Sequence, residues 1–180
     1  MSDAGYVYIG MDHFALPDDE LTRALEAGTL QRNFQGYSTH ADCDLIGIGA
    51  SSIGKVGDVY AQNARDLETY ASRIDSGRLA IVRGVRLSAD DRLRRDVIMR
   101  IMCGGALDFA EIERAHGIEF RTTFGDELAR LAPMADDGLI ALSRDRLTVL
   151  PAGHMLVRNV AAVFDRYLGQ ATLQRFSHTI

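Results

Sequence analysis

Glycine is too frequent between positions 36 and 57 for this part of the chain to form a helix. Residues 47–54 read Gly-Ile-Gly-Ala-Ser-Ser-Ile-Gly, and residues 32–37 read Arg-Asn-Phe-Gln-Gly-Tyr. Glycines let another surface approach the backbone closely, because they carry no side chain. The earlier run adds an aromatic ring and an amide beside a glycine. Together the two runs predict a ligand pocket in the first half of the chain.

A strand and a short helix are predicted before the glycine-dense stretch. Residues 6–11 are mostly strand formers, and Asp12 follows them at the point where parallel α/β sheets present functional groups. Pro17 and the acidic residues after it favour a helix start, and Gly28 is a typical helix end. The order indicates an α/β segment with a strand of the barrel type.

A second strand and a second helix are predicted in and after the glycine-dense stretch. Residues 45–49 alternate apolar side chains with glycine and fit a strand approached closely by another surface. The apolar spacing up to residue 74 predicts a helix with Asn63 as its N-cap. Residues 1–84 are therefore expected to form one α/β domain.

The second half predicts a mainly α domain over residues 85–180. Ser88, followed by acidic residues, is a strong helix N-cap, and the boundary between the domains is placed at about residues 83–88. Helices are expected at residues 89–103, 110–116, 123–132 and 151–168, and a hairpin joins 139–142 to 147–150. Three helices, a hairpin and a closing helix are typical of a winged-helix-like domain.

Charge argues against the DNA-binding role that winged helices often have. The chain carries a formal net charge of -5, and the predicted third helix presents Asp126 and Glu127 beside Arg130. Phosphate binding needs a basic surface that releases counterions. A nucleic-acid partner is therefore not expected. Apolar runs stay far below the roughly 18 residues of a membrane span, so we expect a cytoplasmic chain with no membrane partner.

Four segments carry a resemblance to a known family. They are residues 10–17, 32–37, 47–54 and 57–63, which read Gly-Met-Asp-His-Phe-Ala-Leu-Pro, Arg-Asn-Phe-Gln-Gly-Tyr, Gly-Ile-Gly-Ala-Ser-Ser-Ile-Gly and Gly-Asp-Val-Tyr-Ala-Gln-Asn. With them the chain resembles the C-terminal part of the oxygen-independent coproporphyrinogen III dehydrogenases, which are radical S-adenosylmethionine enzymes. Haem chaperones of the same superfamily usually show Asn-x-x-Tyr-Trp, and this chain has no tryptophan.

The resemblance implies a fold, an activity and a cofactor site. Residues 1–84 would complete a radical S-adenosylmethionine partial barrel, and residues 85–180 would cover it. The parent enzyme would oxidatively decarboxylate two propionates of coproporphyrinogen III to give protoporphyrinogen IX. Phe34, Gln35 and Ile53 would bind a second S-adenosylmethionine. Ser51 and Ile53 match the common Ser-Ala-Ile-Ser pattern, whereas Gly54 departs from it. Catalytic residues are not assigned.

The cysteine count separates this chain from the whole enzyme. Family members hold a [4Fe-4S] cluster with three cysteines, and this chain has only Cys43 and Cys103, in unrelated contexts. The histidine spacings match no zinc pattern, so no metal ligands are expected. We expect the chain alone to be inactive, with its activity restored by the N-terminal radical S-adenosylmethionine domain of a monomeric parent. A non-catalytic remnant that binds a porphyrin or a protein stays open as the alternative.

Overall fold

The first 40 residues form two small antiparallel pairs around one helix. The computed structural model describes residues 1–40 and 43–168. After a 3₁₀ turn at Ser2–Ala4, strand β1 (Val7–Gly10) pairs antiparallel with β2 (His13–Ala15). Helix α1 (Glu20–Glu26) begins at its N-cap Asp19, whose carboxylate accepts the Leu21 N–H. Strands β3 (Gln31–Arg32) and β4 (Tyr37–Ser38) then form a second antiparallel pair.

The next unit is a three-stranded antiparallel sheet. Strand β6 (Val59–Asn63) lies between β5 (Ile53–Val56) and β7 (Ile81–Arg86). Lys55 is paired with Tyr60, and Tyr60 with Val85, across the sheet. Helix α2 (Leu67–Asp75) connects β6 to β7 and begins at Asp66, whose carboxylate accepts the Thr69 N–H.

Four helices and a three-stranded sheet follow, and a 3₁₀ turn leads into the last helix. The elements in chain order are α3 (Ala89–Gly104), β8 (Ala106–Asp108), α4 (Phe109–His116), α5 (Phe120–Thr123), α6 (Gly125–Asp136), β9 (Ile140–Leu142), β10 (Arg146–Val149), a 3₁₀ turn (Pro151–Leu156) and α7 (Val157–Ala162). The sheet order is β8-β10-β9, and both pairings are antiparallel.

The core of this second unit is aromatic. Phe120 stacks on Phe109 with 4.2 Å between ring centroids, and it also contacts Phe124. Phe124 meets Phe164 edge to face at 5.4 Å. Arg94 of α3 lies over the Phe124 ring, 5.2 Å from its centroid, and pairs with the nearly buried carboxylate of Glu127 at 2.8 Å. The apolar core and this ion pair hold α3 against α6.

The buried apolar cluster also includes residues from the first 40 positions. Ile9, Ala15, Ala24 and Leu30 are almost fully buried and belong to the same cluster as the residues of α3. The Tyr8 ring stacks on the His154 ring at 5.8 Å. The start of the chain therefore packs directly on the helical unit. The proposed division at residues 84–85 stays a prediction.

Several sequence expectations need correction. The predicted strand at 45–49 is wrong: only Leu45 pairs, in a single bridge to Lys55. The N-cap of α2 is Asp66 and not Asn63. The strand expected at 6–11 exists, but its partner in the described residues is the antiparallel strand β2.

The helix boundaries of the second half are closer to expectation. Ser88 caps α3 as expected, and its hydroxyl accepts the Asp91 N–H. Helix α6 continues through Pro133 to Asp136 instead of ending near residue 132. The single closing helix expected at 151–168 is a 3₁₀ turn followed by α7. Across residues 1–40 and 43–168, the helices are too short or too polar to cross a membrane.

Candidate functional site

A tight turn presents Phe34 and Gln35. The turn joins β3 to β4, and the Asn33 side-chain oxygen accepts the N–H groups of Gln35 at 2.9 Å and of Gly36 at 3.2 Å. Gly36 has φ of 144°, a conformation that favours glycine, and a β-carbon there would lie 3.2 Å from His13 Nε2. Both side chains at the tip are therefore exposed, Phe34 by 58%.

The Phe34 ring contacts the ring of Tyr60 in β6. The two rings meet edge to face with centroids 5.5 Å apart. Such an arrangement is a favourable aromatic contact, and Phe34 stays 58% exposed beside it. Burial raises the pKa of Tyr60, and the nearby Arg95 opposes the rise. Tyr60 was not among the residues that the sequence assigned to the site, because an isolated tyrosine in a strand carries no specific signal.

Phe34 and Tyr60 line a cavity of about 800 Å³. We call it the large cavity. Its wall is completed by α3, through residues such as Ile98 and Met102, and by the segment that follows α7, through Tyr167. Pockets of this volume bind small organic ligands, and their walls are mostly apolar with a few polar groups.

Ile53 lies on the same sheet as Tyr60. It begins β5 and is paired with Gln62, while Lys55 is paired with Tyr60. Directly paired residues project from the same face, and so do residues two apart along a strand. The half-buried Ile53 therefore shares a sheet face with Tyr60, on which Phe34 packs. Gln35 and Ile53 do not contribute to the lining of the large cavity in the described part of the chain.

The glycine-dense segment is packed against its own sheet. A β-carbon on Gly54 would lie 2.7 Å from the Leu45 carbonyl oxygen, and one on Gly47 would lie 3.0 Å from the Gly54 nitrogen. The surface that closely approaches these glycines, as expected from the sequence, is therefore the backbone of the same chain. The Asn63 amide donates to the carbonyl oxygens of Gly47 at 3.1 Å and Gly49 at 2.9 Å. These bonds hold the segment beside the start of β5.

A smaller cavity of about 560 Å³ adjoins the first. It lies along α3 and shares Lys55, Arg95 and Met99 with the large cavity. Arg95 is 6.0 Å from the Tyr60 ring centroid, a distance at which a guanidinium is attracted to an aromatic face. Neither cation was assigned to the site from the sequence, since their approach depends on the packing of α3 on the sheet.

Comparison with known proteins shows similarity over the whole chain. Residues 87–156 match the family of HemN C-terminal domains. The whole chain is 50% identical to the oxygen-independent coproporphyrinogen III oxidase of Pseudomonas aeruginosa, of which it covers 39%, and 45% identical to that of Escherichia coli, of which it covers 40%. The solved structure of coproporphyrinogen III oxidase (HemN) from Escherichia coli, described as a radical SAM enzyme, matches with a TM-score of 0.88 and 44% identity. That match covers 92% of this chain and 38% of the other.

The chain is homologous to the C-terminal part of oxygen-independent coproporphyrinogen III oxidases. The family resemblance seen in the sequence is therefore confirmed. The chain spans about two-fifths of the length of the two oxidases just named.

The cysteines of this C-terminal part do not suit an iron-sulfur cluster. Cys43 is exposed, whereas Cys103 is buried in α3, where burial raises the pKa of its thiol to about 11. Ligation requires thiolates, and a raised pKa disfavours them. Residues 1–40 and 43–168 hold no group of three or more side chains placed to bind a metal ion. The described residues therefore do not fit an iron-sulfur cluster.

Proposed function

We propose that this chain works as the C-terminal part of an enzyme that converts coproporphyrinogen III to protoporphyrinogen IX by oxidative decarboxylation of two propionates. The relatives that support the proposal carry the name of that oxidase, and the homology extends over the whole chain. The single observation that carries it is the 50% identity to the Pseudomonas aeruginosa oxidase over the whole chain. The Phe34–Tyr60 pair, which lines the large cavity, adds a candidate ligand site. This arrangement offers an aromatic face beside a space of ligand size.

The proposed role of Phe34, Gln35 and Ile53 is to bind a second S-adenosylmethionine. The exposed face of Phe34 suits stacking with an adenine ring, and the exposed Gln35 amide suits hydrogen bonds with the same ligand. Ile53 would add apolar contact from the sheet face that supports Tyr60. When bound in enzymes of this type, S-adenosylmethionine supplies the means of removing a hydrogen atom from the substrate. The side chains of this chain hold and orient it and exclude water.

We assign the remainder of the activity to an N-terminal radical S-adenosylmethionine domain. In this proposal residues 1–84 complete the partial barrel of that domain. The exposed apolar side chains of the first half support it, among them Leu79 at 75% and Val82 at 48%, because such patches mark contact surfaces. The complete enzyme would be a cytoplasmic monomer, its cluster would be held outside this chain, and the chain alone would be inactive.

Residues 85–180, of which 169–180 lie outside the described residues, would form a winged-helix-like cover. The order α3, β8, α4, α6, β9, β10 with sheet order β8-β10-β9 supports that description. Glu127 faces Arg94 at 2.8 Å, so this acidic residue of the third long helix stabilises the domain internally. Nothing in this arrangement favours a nucleic-acid partner over a packed cover.

The test uses a fusion enzyme in which the N-terminal part of the Pseudomonas aeruginosa relative precedes residues 1–180 of this chain. With its cluster loaded, the fusion should decarboxylate coproporphyrinogen III and bind two equivalents of S-adenosylmethionine. Phe34→Ala should weaken the binding of one of the two S-adenosylmethionine equivalents by about tenfold or more. Stacking on an aromatic side chain contributes about 1–3 kcal/mol per base. Equilibrium dialysis measures the stoichiometry, and product analysis measures turnover.

Phe14→Ala is the matched control. Phe14 is also partly exposed, at 37%, but it packs on Tyr8 in the first strand pair. It should leave both cofactor equivalents in place. A loaded fusion that binds coproporphyrinogen III without decarboxylating it would favour the non-catalytic binding role. Unchanged cofactor binding in Phe34→Ala would remove the site assignment.

A further inference from the structure

Two cations beside Tyr60 lack a carboxylate partner in the described chain. Lys55 of β5 is paired with Tyr60 across the sheet, and the Arg95 guanidinium of α3 lies 6.0 Å from the Tyr60 ring centroid. Both side chains line the large cavity and the smaller one beside it. Within residues 1–40 and 43–168, no Asp or Glu oxygen comes within ion-pair distance of either cation.

The other arginines of α3 are different. Arg92 pairs with Asp58 at 2.9 Å, Arg94 with Asp90 and Glu127, and Arg100 with Asp96 and Glu111. Helix α3 thus satisfies each of its other guanidinium groups with acids of the same chain. Arg95 contacts only an aromatic face among the described ion-pair and ring contacts, so its hydrogen-bond donors remain available to a ligand.

The acids around the large cavity are already engaged. Asp91 accepts hydrogen bonds from Ser88 and from the Tyr167 hydroxyl, and it lies 3.4 Å from the Arg166 guanidinium. Asp44 accepts the Gly57 N–H at 2.8 Å, and Asp165 accepts the Tyr167 N–H at 2.8 Å. None of these three carboxylates forms an ion pair with Lys55 or Arg95 within the described residues.

A third cation strengthens the positive field. Arg32 of β3 lines the large cavity and lies over the Tyr37 ring, 5.6 Å from its centroid. Its Nε is buried and has no hydrogen-bond partner in the described chain. Cations without carboxylate partners at the wall of a cavity attract an anionic ligand.

We propose that Lys55 and Arg95 bind a carboxylate of the ligand that occupies the large cavity. The proposal rests on the proposed function and deepens it. If the enzyme acts on coproporphyrinogen III with S-adenosylmethionine, two of its ligands carry a carboxylate. One is a propionate of coproporphyrinogen III, and the other is the carboxylate in the methionine part of S-adenosylmethionine. A guanidinium and an ammonium that line the same cavity can each donate charge-assisted hydrogen bonds to a carboxylate.

The test measures binding and needs no turnover. Coproporphyrin III, the fluorescent oxidised form of the substrate, is titrated into the fusion enzyme, and its tetramethyl ester serves as the uncharged probe. Labelled S-adenosylmethionine is measured separately by equilibrium dialysis. Lys55→Gln and Arg95→Gln should each weaken the binding of one carboxylate ligand by about tenfold, the effect of one lost charge-assisted hydrogen bond. Binding of the ester should not change.

Charge-retaining and distant variants separate a direct contact from a structural effect. Arg95→Lys and Lys55→Arg should recover part of the lost affinity, since they keep the charge. Arg114→Gln should leave every affinity unchanged, because this exposed residue of α4 lines neither cavity. Thermal unfolding verifies that each variant is folded.

Each outcome decides the proposal. Weakened binding of coproporphyrin III but not of S-adenosylmethionine assigns the pair to a substrate propionate, and the reverse assigns it to the cofactor carboxylate. Equal affinities of the Gln variants and the unaltered fusion for both ligands would overturn it, as would failure of the unaltered fusion to bind either. A fusion that binds coproporphyrin III through Lys55 and Arg95 but never decarboxylates its reduced form would contradict only the proposed function.

Discussion

The Tyr37 hydroxyl donates a hydrogen bond to the main-chain carbonyl oxygen of Met102, 3.1 Å away. Tyr37 belongs to β4 beside the candidate site, and Met102 is in the last turn of α3. The bond satisfies a carbonyl near a helix end, where intrahelical partners are lacking. It ties the turn that carries Phe34 to the helix that carries Arg95. Met102 and Phe34 both line the large cavity, so the bond joins two parts of its wall.

Loss of the Tyr37 hydroxyl should destabilise the protein. Tyr37→Phe keeps the ring and leaves the Met102 carbonyl without this donor, so we expect the free energy of unfolding to fall by about 1–2 kcal/mol. Urea denaturation at neutral pH measures it. Tyr6→Phe is the control, since Tyr6 is partly exposed. An equal loss in both variants would contradict the prediction.

The same tyrosine should make stability depend on alkaline pH. Burial raises the pKa of Tyr37 from its usual value near 10 to about 12. The folded protein therefore keeps this proton more tightly than the unfolded chain does. The stability linked to this proton is fully present below pH 10 and is lost as pH rises towards 12. Between pH 10 and 12 the free energy of unfolding should fall less steeply with pH for Tyr37→Phe than for the unaltered chain. Equal slopes of the free energy against pH would refute the linkage.

Removal of Arg94 should cost more than removal of an exposed arginine. Arg94→Ala leaves Glu127, only 11% exposed at its side chain, without its 2.8 Å partner and also removes the contact with Phe124. Breaking a buried ion pair at one partner typically costs about 3–5 kcal/mol, and the partial exposure of Arg94 places our expectation near the lower end, about 3 kcal/mol. Arg114→Ala, exposed on α4, should change stability by less than about 0.5 kcal/mol. Chemical denaturation compares the two, and similar values would count against the role of this pair.

A methyl group on Gly54 should disturb the site, whereas one on Gly104 should not. A β-carbon at Gly54 would lie 2.7 Å from the Leu45 carbonyl oxygen, and that oxygen accepts the Lys55 N–H. We expect Gly54→Ala to lower stability by about 1–3 kcal/mol, as overpacking does. Gly104→Ala meets no atom within 4 Å at the end of α3 and should be neutral or stabilising by up to about 1 kcal/mol. The midpoint temperatures of thermal unfolding of the two alanine variants should therefore shift in opposite directions or by clearly different amounts.

The Asn63 side chain should stabilise the loop at residues 47–52 and not helix α2. Asn63→Ala removes both hydrogen bonds to the Gly47 and Gly49 carbonyl oxygens, so amide hydrogen exchange should accelerate in residues 47–52. Exchange in α2 should stay unchanged, because its N-cap is Asp66. Faster exchange in α2 together with an unchanged loop would restore the capping role expected from the sequence.

Local sequence signals were enough for much of the helical half. The Ser88 hydroxyl caps α3, Gly105 ends it with φ of 62°, and the hairpin of β9 and β10 lies where it was expected. These features depend on residues within a few positions of one another, and that is the range over which capping and turn preferences act. The family resemblance was also readable from short motifs and is confirmed by the relatives.

Contacts between distant segments could be learned only from the tertiary structure. Residues 45–49 have the pattern of a strand, yet only Leu45 pairs. Gly47 lies in a loop that Asn63 holds, and its backbone approaches that of Gly54 in β5. The roles of Phe34, Gln35 and Ile53 in cofactor binding stay a prediction.

The amino-acid sequence by itself determined the start of α3 at Ser88, the hairpin of β9 and β10 and the shortage of cysteines, since each depends on residue identity and near neighbours. The tertiary structure decided that Phe34, Lys55 and Arg95 meet around Tyr60. Strand register and the packing of α3 bring these positions together across up to about sixty residues of chain. Such pairings are set by the burial of surfaces from the whole molecule, which no local pattern encodes.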